Sequence, residues 1–344
     1  MFMIASLRIL AAALLIAGCA LTHQLPQPQQ QPTAEPAIPI QADTSRVFHE
    51  FAAVIVQPKD SLSSLAARYL GDSSKDWIIS EFNGVTSVKP GQPIVIPLVP
   101  LGKGGVTPEG YQTVSVLSYH KFSRDKVDLT TVSEKAFDDQ MRFLKRNGYR
   151  VITMDQFFDF LEFKNQIPEK SVLITIDDGW RSVYDLAFPI LKKYGYPATF
   201  FIYTDFIING SRTLDWNILK EMSDSGISIQ CHTKTHRYLD RRIGGESFKD
   251  YFESIKKDLI ESTKVIKQRL NSDVKYLAYP YGETNHLVIT LLMKLGYRGA
   301  FTVERGGNPF FVNPYRANRS MIYGTFSMKD FENNLKTLDD RAIK

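Results

Sequence analysis

Two acidic residues and two imidazoles set the chemistry open to this chain. Thr175-Ile176-Asp177-Asp178-Gly179 supplies adjacent carboxylates, and His232-Thr233-Lys234-Thr235-His236 supplies two histidines four positions apart. A divalent ion of the two-histidine, one-carboxylate kind takes three such ligands and keeps a position open. One carboxylate then remains over, free to take the proton of a water held at that position. These residues point to metal-assisted hydrolysis and leave open which aspartate plays which part. The plainer alternatives are a surface turn at Asp-Asp-Gly and ordinary structural histidines. Asp-Asp-Gly alone would favour the turn; the apolar strand before it and the histidine pair, whose spacing at a strand end favours ligands, reverse that.

Side chains alternate across a strand, so Asp177 and Asp178 share a pocket only if the chain turns there, which Gly179 permits. An apolar strand over 172–176 leads into that pair. A strand over 227–230 leads to His232, and one over 275–278 leads to Tyr279-Pro280-Tyr281-Gly282. Helices run into Gly148, Gly195, Gly226 and Gly296, each followed by an aromatic or apolar residue that begins a strand. Glycine past a helix end supplies its left-handed stop. Thr153 and Gln156 form the pattern of a capping box that opens a further helix. Repeated helix-to-strand joints predict a parallel α/β sheet, open or closed, and a closed barrel is favoured. Three polar motifs at three carboxyl strand ends then converge on one face.

Upstream, residues 50–99 predict a small unit of strand, helix, helix and strand. Ser61 caps the first helix, Gly71 ends it, and Lys89-Pro90-Gly91 turns into the last strand. Residues 19–49 are rich in proline and glutamine and read as an extended spacer. Arg8 followed by a short apolar run to Ala17 reads as a secretory signal over 1–18, too short to span a bilayer. The 344 residues carry a net charge of +5 with no basic block, so nucleic acid is not an expected partner. Of the two cysteines, Cys231 beside His232 is either a ligand or, as favoured, a buried small hydrophobe.

Three resemblances follow from these motifs. Ile16-Ala17-Gly18-Cys19 resembles a bacterial lipoprotein signal, implying a lipid anchor on Cys19; Ala20 after it matches the outer-membrane sorting pattern of Gram-negative hosts. Asp60-Ser61-Leu62, Asn83 and Pro90-Gly91-Gln92 before Ile96-Pro97 resemble a LysM domain, which implies binding to peptidoglycan or chitin-like glycans. Thr-Ile-Asp-Asp-Gly, His-Thr-Lys-Thr-His and Tyr-Pro-Tyr-Gly resemble the first three motifs of the polysaccharide deacetylases (NodB homology, carbohydrate esterase family 4).

The last likeness covers 113–344 and implies a distorted (β/α) barrel following a small βααβ unit. It implies a divalent metal, commonly Zn2+, held by Asp178, His232 and His236. Asp177 then matches the general base, and the backbone N–H of Tyr281 an oxyanion donor. Its Ser118-Tyr119-His120 context leans toward deacetylases of poly-N-acetylglucosamine. Two positions depart from the family pattern. The third motif lacks its arginine, with Ala278 in that place, and no histidine follows His286 to serve as the late general acid. Arg319 is the expected replacement for the first and His120 for the second. Trp180, Trp216 and Tyr281 are expected to face sugar rings. The implied location is the cell envelope, at the periplasmic face of the outer membrane in a Gram-negative host. A degenerate wall-binding protein and an O-acetyl xylan esterase are the competing readings.

Overall fold

The computed structural model describes residues 45–341 apart from Lys103 and Asn209. The expected signal at 1–18, lipid-bearing Cys19 and the spacer up to residue 44 lie outside the described residues. Among those residues no helix is long and apolar enough to cross a membrane.

In the small unit, β1 (Phe51–Ile55) and β2 (Pro93–Pro97) pair antiparallel around α1 (Leu62–Leu70) and α2 (Asp76–Asn83). Ser61 accepts the Ser64 N–H and Ser64 returns the bond, which nucleates α1; Gly71, at φ 70°, stops it. Ala52, Val54, Leu65, Ala66, Ile79, Ile94 and Ile96 form its core. The Asn83 side chain donates to the Val95 carbonyl at 2.7 Å and accepts its N–H at 3.0 Å, stitching α2 to β2. Arg46–Val47, inside the stretch read as spacer, pairs with Ala53 and Ala52 as a short extra strand. Two polar contacts join this unit to the larger one: Asp76 with Arg150 at 3.0 Å, and Glu81 accepting the Glu169 N–H at 3.1 Å.

The larger unit alternates strands and helices: β3 (Val114–Tyr119), α3 (Glu134–Arg146), α4 (Met154–Leu161), β4 (Ser171–Asp178), α5 (Phe188–Tyr194), β5 (Thr199–Ile202), α6 (Trp216–Asp224), β6 (Ser228–Cys231), α7 (Phe248–Leu270), β7 (Tyr276–Ala278), α8 (His286–Lys294) and β8 (Gly299–Phe301). From β3 to β8 the strands lie side by side in chain order, all parallel. The sheet curls into part of a barrel, consistent with the distortion the family resemblance implies, and does not close as a continuous barrel. Between β8 and β3 the ring is completed by one bridge, Phe301 to Ala317, and by β9 (Ser320–Met321) beside β3. In this return Gly307–Asn308 pair antiparallel with the start of β3, and Gly306, Gly307, Pro309 and Pro314 disfavour longer regular elements.

Alternation along the strands fills both faces. Leu117, Ile174, Ile176, Ile202 and Leu277 pack outward under the helices. Val116, Leu173, Phe201, Tyr276 and Phe301 point inward, together with Phe157 and Phe158 of α4, which plug that interior. A Cβ on Gly299 would collide with the Phe158 ring and the Pro314 carbonyl, so only glycine fits where β8 meets the plug.

Candidate metal and catalytic site

Asp177 stays in step with Leu173, so it points into the curl, and it is 2% exposed. Arg319, just ahead of β9, is fully buried and reaches it from the far side of the ring. Its Nη1 donates to Asp177 Oδ1 at 2.7 Å, and its Nε donates to the Thr302 carbonyl at 2.9 Å. Burial alone would raise the Asp177 pKa. The Arg319 charge, with smaller help from His232 and His120, reverses that and holds the carboxyl below its ordinary value. Asp177 is therefore a buried carboxylate with one oxygen committed to Arg319.

The next residue turns. Asp178 sits at φ 80° and Gly179 at φ 119°, so the reversal begins one residue before the glycine that the sequence suggested for it. That turn carries the Asp178 carboxylate to the side of the two histidines. The Trp180 indole N–H donates to Asp178 Oδ2 at 2.8 Å. Asp178 Oδ1 then lies 3.8 Å from His232 Nε2 and 3.6 Å from His236 Nε2. The two Nε2 atoms are 3.1 Å apart. A tetrahedral ion with bonds of about 2.1 Å holds its ligands about 3.4 Å from one another, so this triangle fits one.

Protonation fits as well. His232 Nδ1 lies 2.7 Å from the Ala278 carbonyl, which can only accept, so Nδ1 carries the proton and Nε2 presents its lone pair. Burial pushes the His232 pKa down to about 4, against the pull of Asp177 and Asp178. Burial also lowers that of His236. Both rings are neutral at pH 7, the form a metal requires. Of the six non-glycine residues with positive φ among the described residues, four are in this cluster: Asp178, Thr233, His236 and Tyr281. Such conformations cost about 1–3 kcal/mol each and persist where surrounding structure enforces them.

Tyr281, at φ 61° on the loop after β7, is 49% exposed. Its ring meets His236 edge-on at 4.8 Å and stacks on Tyr238 at 4.1 Å. Its backbone N–H has no acceptor among the described residues. His120 follows the Tyr119–Ile176 pair and so falls beside Asp177; its Nδ1 is buried and finds no hydrogen-bond partner among the described residues. Tyr203, stacked on Phe206, also contacts the His236 ring, at 4.9 Å.

One expected residue stands elsewhere. Trp216 opens α6, packs against the outer core and lies 6.0 Å from the Arg269 guanidinium; no ring contact joins it to the triad. A tryptophan at a helix start is drawn to the apolar groove between helices, and α6 meets α7 there. Cys231 is buried with its sulfur 3.2 Å from Ser262 Oγ, outside the ligand set. His286 is exposed at the start of α8. Sequence reasoning missed Tyr238 and also Asp258. The latter is buried on α7 and accepts the Lys234 and Thr235 N–H groups. Its only signal was a carboxylate on the apolar stripe of a long helix.

This is the site of a hydrolytic α/β domain. Residues 164–300, which hold both histidines, both aspartates and Tyr281, match the polysaccharide deacetylase family. A poly-beta-1,6-N-acetyl-D-glucosamine N-deacetylase of Staphylococcus aureus (strain MRSA252) is 29% identical over 226 residues, 64% of this chain and 76% of the relative. The solved structure of IcaB from Ammonifex degensii superposes with a TM-score of 0.56 at 28% identity, covering 61% of this chain and 92% of that one. Deacetylase PplD of Streptococcus pyogenes, solved with acetate, shares the fold with a TM-score of 0.59 at 24% identity, over 65% of this chain and 98% of that one. The chain carries a polysaccharide deacetylase domain and is an enzyme of that class. His120 and Arg319 fall outside the matched segment.

Proposed function

We propose that the chain removes N-acetyl groups from an N-acetylglucosamine polysaccharide of the cell envelope, a poly-β-1,6-linked polymer before peptidoglycan. The observation that carries this reading is a buried carboxylate, Asp177, locked by Arg319 beside a three-ligand pocket. The substrate of the S. aureus relative and the likeness to IcaB suggest the polymer.

Asp178, His232 and His236 are the residues that would hold the ion, and two imidazoles with one carboxylate suit Zn2+. When bound, such an ion polarises the acetyl carbonyl and brings the pKa of a water toward ~7. Asp177 takes the proton of the attacking water on the oxygen that Arg319 leaves free. The N–H of Tyr281 donates to the oxygen that gains charge, a contribution of about 3 kcal/mol in comparable sites. His120 delivers a proton to the departing nitrogen as the C–N bond breaks, so acetate and a glucosamine amine leave. Trp180 holds Asp178 and, with Tyr281, offers ring surface to the sugar.

The unit at 51–97 resembles a LysM domain, and in this reading it grips peptidoglycan or a related glycan. Cys19 would bear the lipid that ties the enzyme to the periplasmic face of an outer membrane. Acetate release tests the core of the proposal. Lipid-free protein is offered β-1,6-N-acetylglucosamine oligomers, peptidoglycan and acetyl-xylan. Release from the first is expected; release from xylan alone would make it an esterase, and release from none with Zn2+ bound would make it a binding protein. Asp177→Asn should abolish release and keep the metal, whereas His232→Ala should lose the metal.

A further inference from the structure

The loop carrying both histidines has no regular secondary structure, yet two of its residues hold left-handed conformations: Thr233 at φ 73° and His236 at φ 57°. Within the loop the His236 N–H donates to the Thr233 hydroxyl at 3.0 Å, and from outside the Thr204 and Asp205 N–H groups donate to the Thr233 and Lys234 carbonyls at 3.2 and 3.0 Å. Helix α7 adds one polar stripe, the support that reaches the loop's amides and side chains. Tyr251, Ser254, Asp258 and Ser262 recur three or four residues apart and so share a face.

Each meets the loop in turn. Tyr251 Oη donates to the Leu239 carbonyl at 2.6 Å. Ser254 takes a bond from the Arg237 guanidinium, whose nitrogens also reach Glu246 at 3.0 and 2.9 Å. Asp258 Oδ1 accepts the Lys234 N–H at 2.6 Å, while Oδ2 accepts the Thr235 N–H at 3.1 Å and its hydroxyl at 2.6 Å. Ser262 Oγ lies 3.2 Å from the Cys231 sulfur. Helix numbers rise as loop numbers fall, so the two segments run antiparallel like a zipper. Asp258 is 5% exposed and makes the only contacts of the stripe to the backbone between the two left-handed residues.

We propose that Asp258 is a positioning residue for the histidine pair. It clamps the Lys234 and Thr235 amides, fixing the turn that swings His236 Nε2 to within 3.1 Å of His232 Nε2. The rest of the stripe sets the register of the loop. Neither Asp258 nor α7 touches the reacting atoms. The proposal rests on the reading of Asp178, His232 and His236 as a metal site, and its test separates the two.

The full chain is compared with Asp258→Ala, Asp258→Asn and Glu261→Gln. The last removes the half-buried carboxylate that pairs with the Lys234 and Lys257 ammonium groups, without touching the loop's amides, and serves as the control. Zn2+ affinity is read by chelator competition, and amide hydrogen exchange is read at Lys234 and Thr235. Loss of a partner that orients ligands weakens metal binding by about 10–100-fold. That loss is expected for Asp258→Ala, a smaller one for Asp258→Asn, and none for Glu261→Gln. Exchange at both amides should quicken in the two Asp258 variants, and turnover should recover at saturating Zn2+, which a general folding defect would not allow. If Asp258→Ala does not fold, Thr235→Val removes the hydroxyl bond alone and should show part of the same loss. Wild-type affinity and exchange in the Asp258 variants would overturn the proposal. If the wild-type chain binds no Zn2+, the metal reading fails, and the exchange result still decides whether Asp258 holds the turn.

Discussion

Arg319→Met removes one member of a buried ion pair and leaves the other in place. Arg319 is fully buried and Asp177 is 2% exposed, so bulk solvent does little to replace the lost guanidinium around the oxygen it held. Breaking such a pair costs about 3–5 kcal/mol. For a chain of this size each kcal/mol is worth about 2–4 °C, so the melting temperature should fall on the order of 10 °C at pH 7. The pH dependence carries the sharper test. In the wild type the Asp177 pKa is lowered, so this residue contributes stability above the unfolded value of about 3.9, and that contribution is lost as pH falls through the lower folded value. Without Arg319, burial is left as the largest influence and the pKa rises above the unfolded value. The stability deficit should then be greatest near neutrality and shrink as pH drops toward 4. The acid limb of kcat/KM should move to higher pH, and loss of the bond that aims the base should cost about 10²-fold. Arg319→Lys should recover little, because one ammonium cannot hold both Asp177 and the Thr302 carbonyl in the fork geometry of a guanidinium. Differential scanning calorimetry and acetate-release profiles from pH 4 to 9 provide the readouts. A variant with the wild-type acid limb and melting temperature would refute the assignment of Arg319 as the residue that holds Asp177.

His120→Gln should slow turnover by about 10²-fold or more while leaving Zn2+ affinity unchanged, measured by acetate release and chelator competition. An ester substrate, whose leaving group needs less help from an acid, should suffer less than an amide. Trp216→Ala should lower the melting temperature through lost packing, at a cost below the about 3–5 kcal/mol of a fully buried aromatic because Trp216 is half-buried, and leave KM for oligosaccharides within twofold. A large rise in KM would return Trp216 to the sugar-binding surface.

The legible parts of the fold were those written in local chemistry. Ser61 and Thr153 announce helix starts through their own hydroxyls, and the glycines past the helices announce stops, because capping involves residues only a few positions apart. The two histidines were legible through their spacing. What escaped the sequence was decided by distant partners. Closure of the sheet depends on how residues 302–318 return to β3, which no periodicity encodes. The turn at Asp178 overrides the preference of aspartate for negative φ because the pocket needs its carboxylate. Arg319 could be nominated only by the gap at Ala278, where the main-chain carbonyl, present whatever the side chain, fixes the His232 tautomer. Asp258 stayed invisible because a carboxylate on a helix ordinarily faces water, and the amides it meets belong to a loop more than twenty residues upstream.

The joint between the two units lies at Arg150 and Glu169, beside the beginnings of the strands, whereas the triad lies where they finish. The eight residues of β4 separate these poles by about 26 Å, roughly five sugar rings laid end to end. On the proposed reading of the small unit as a glycan grip, a polymer engaging both units has that distance to cover before its acetyl groups come within reach of Asp177. Any advantage of the second grip should then emerge with long polymers and be absent with short oligomers.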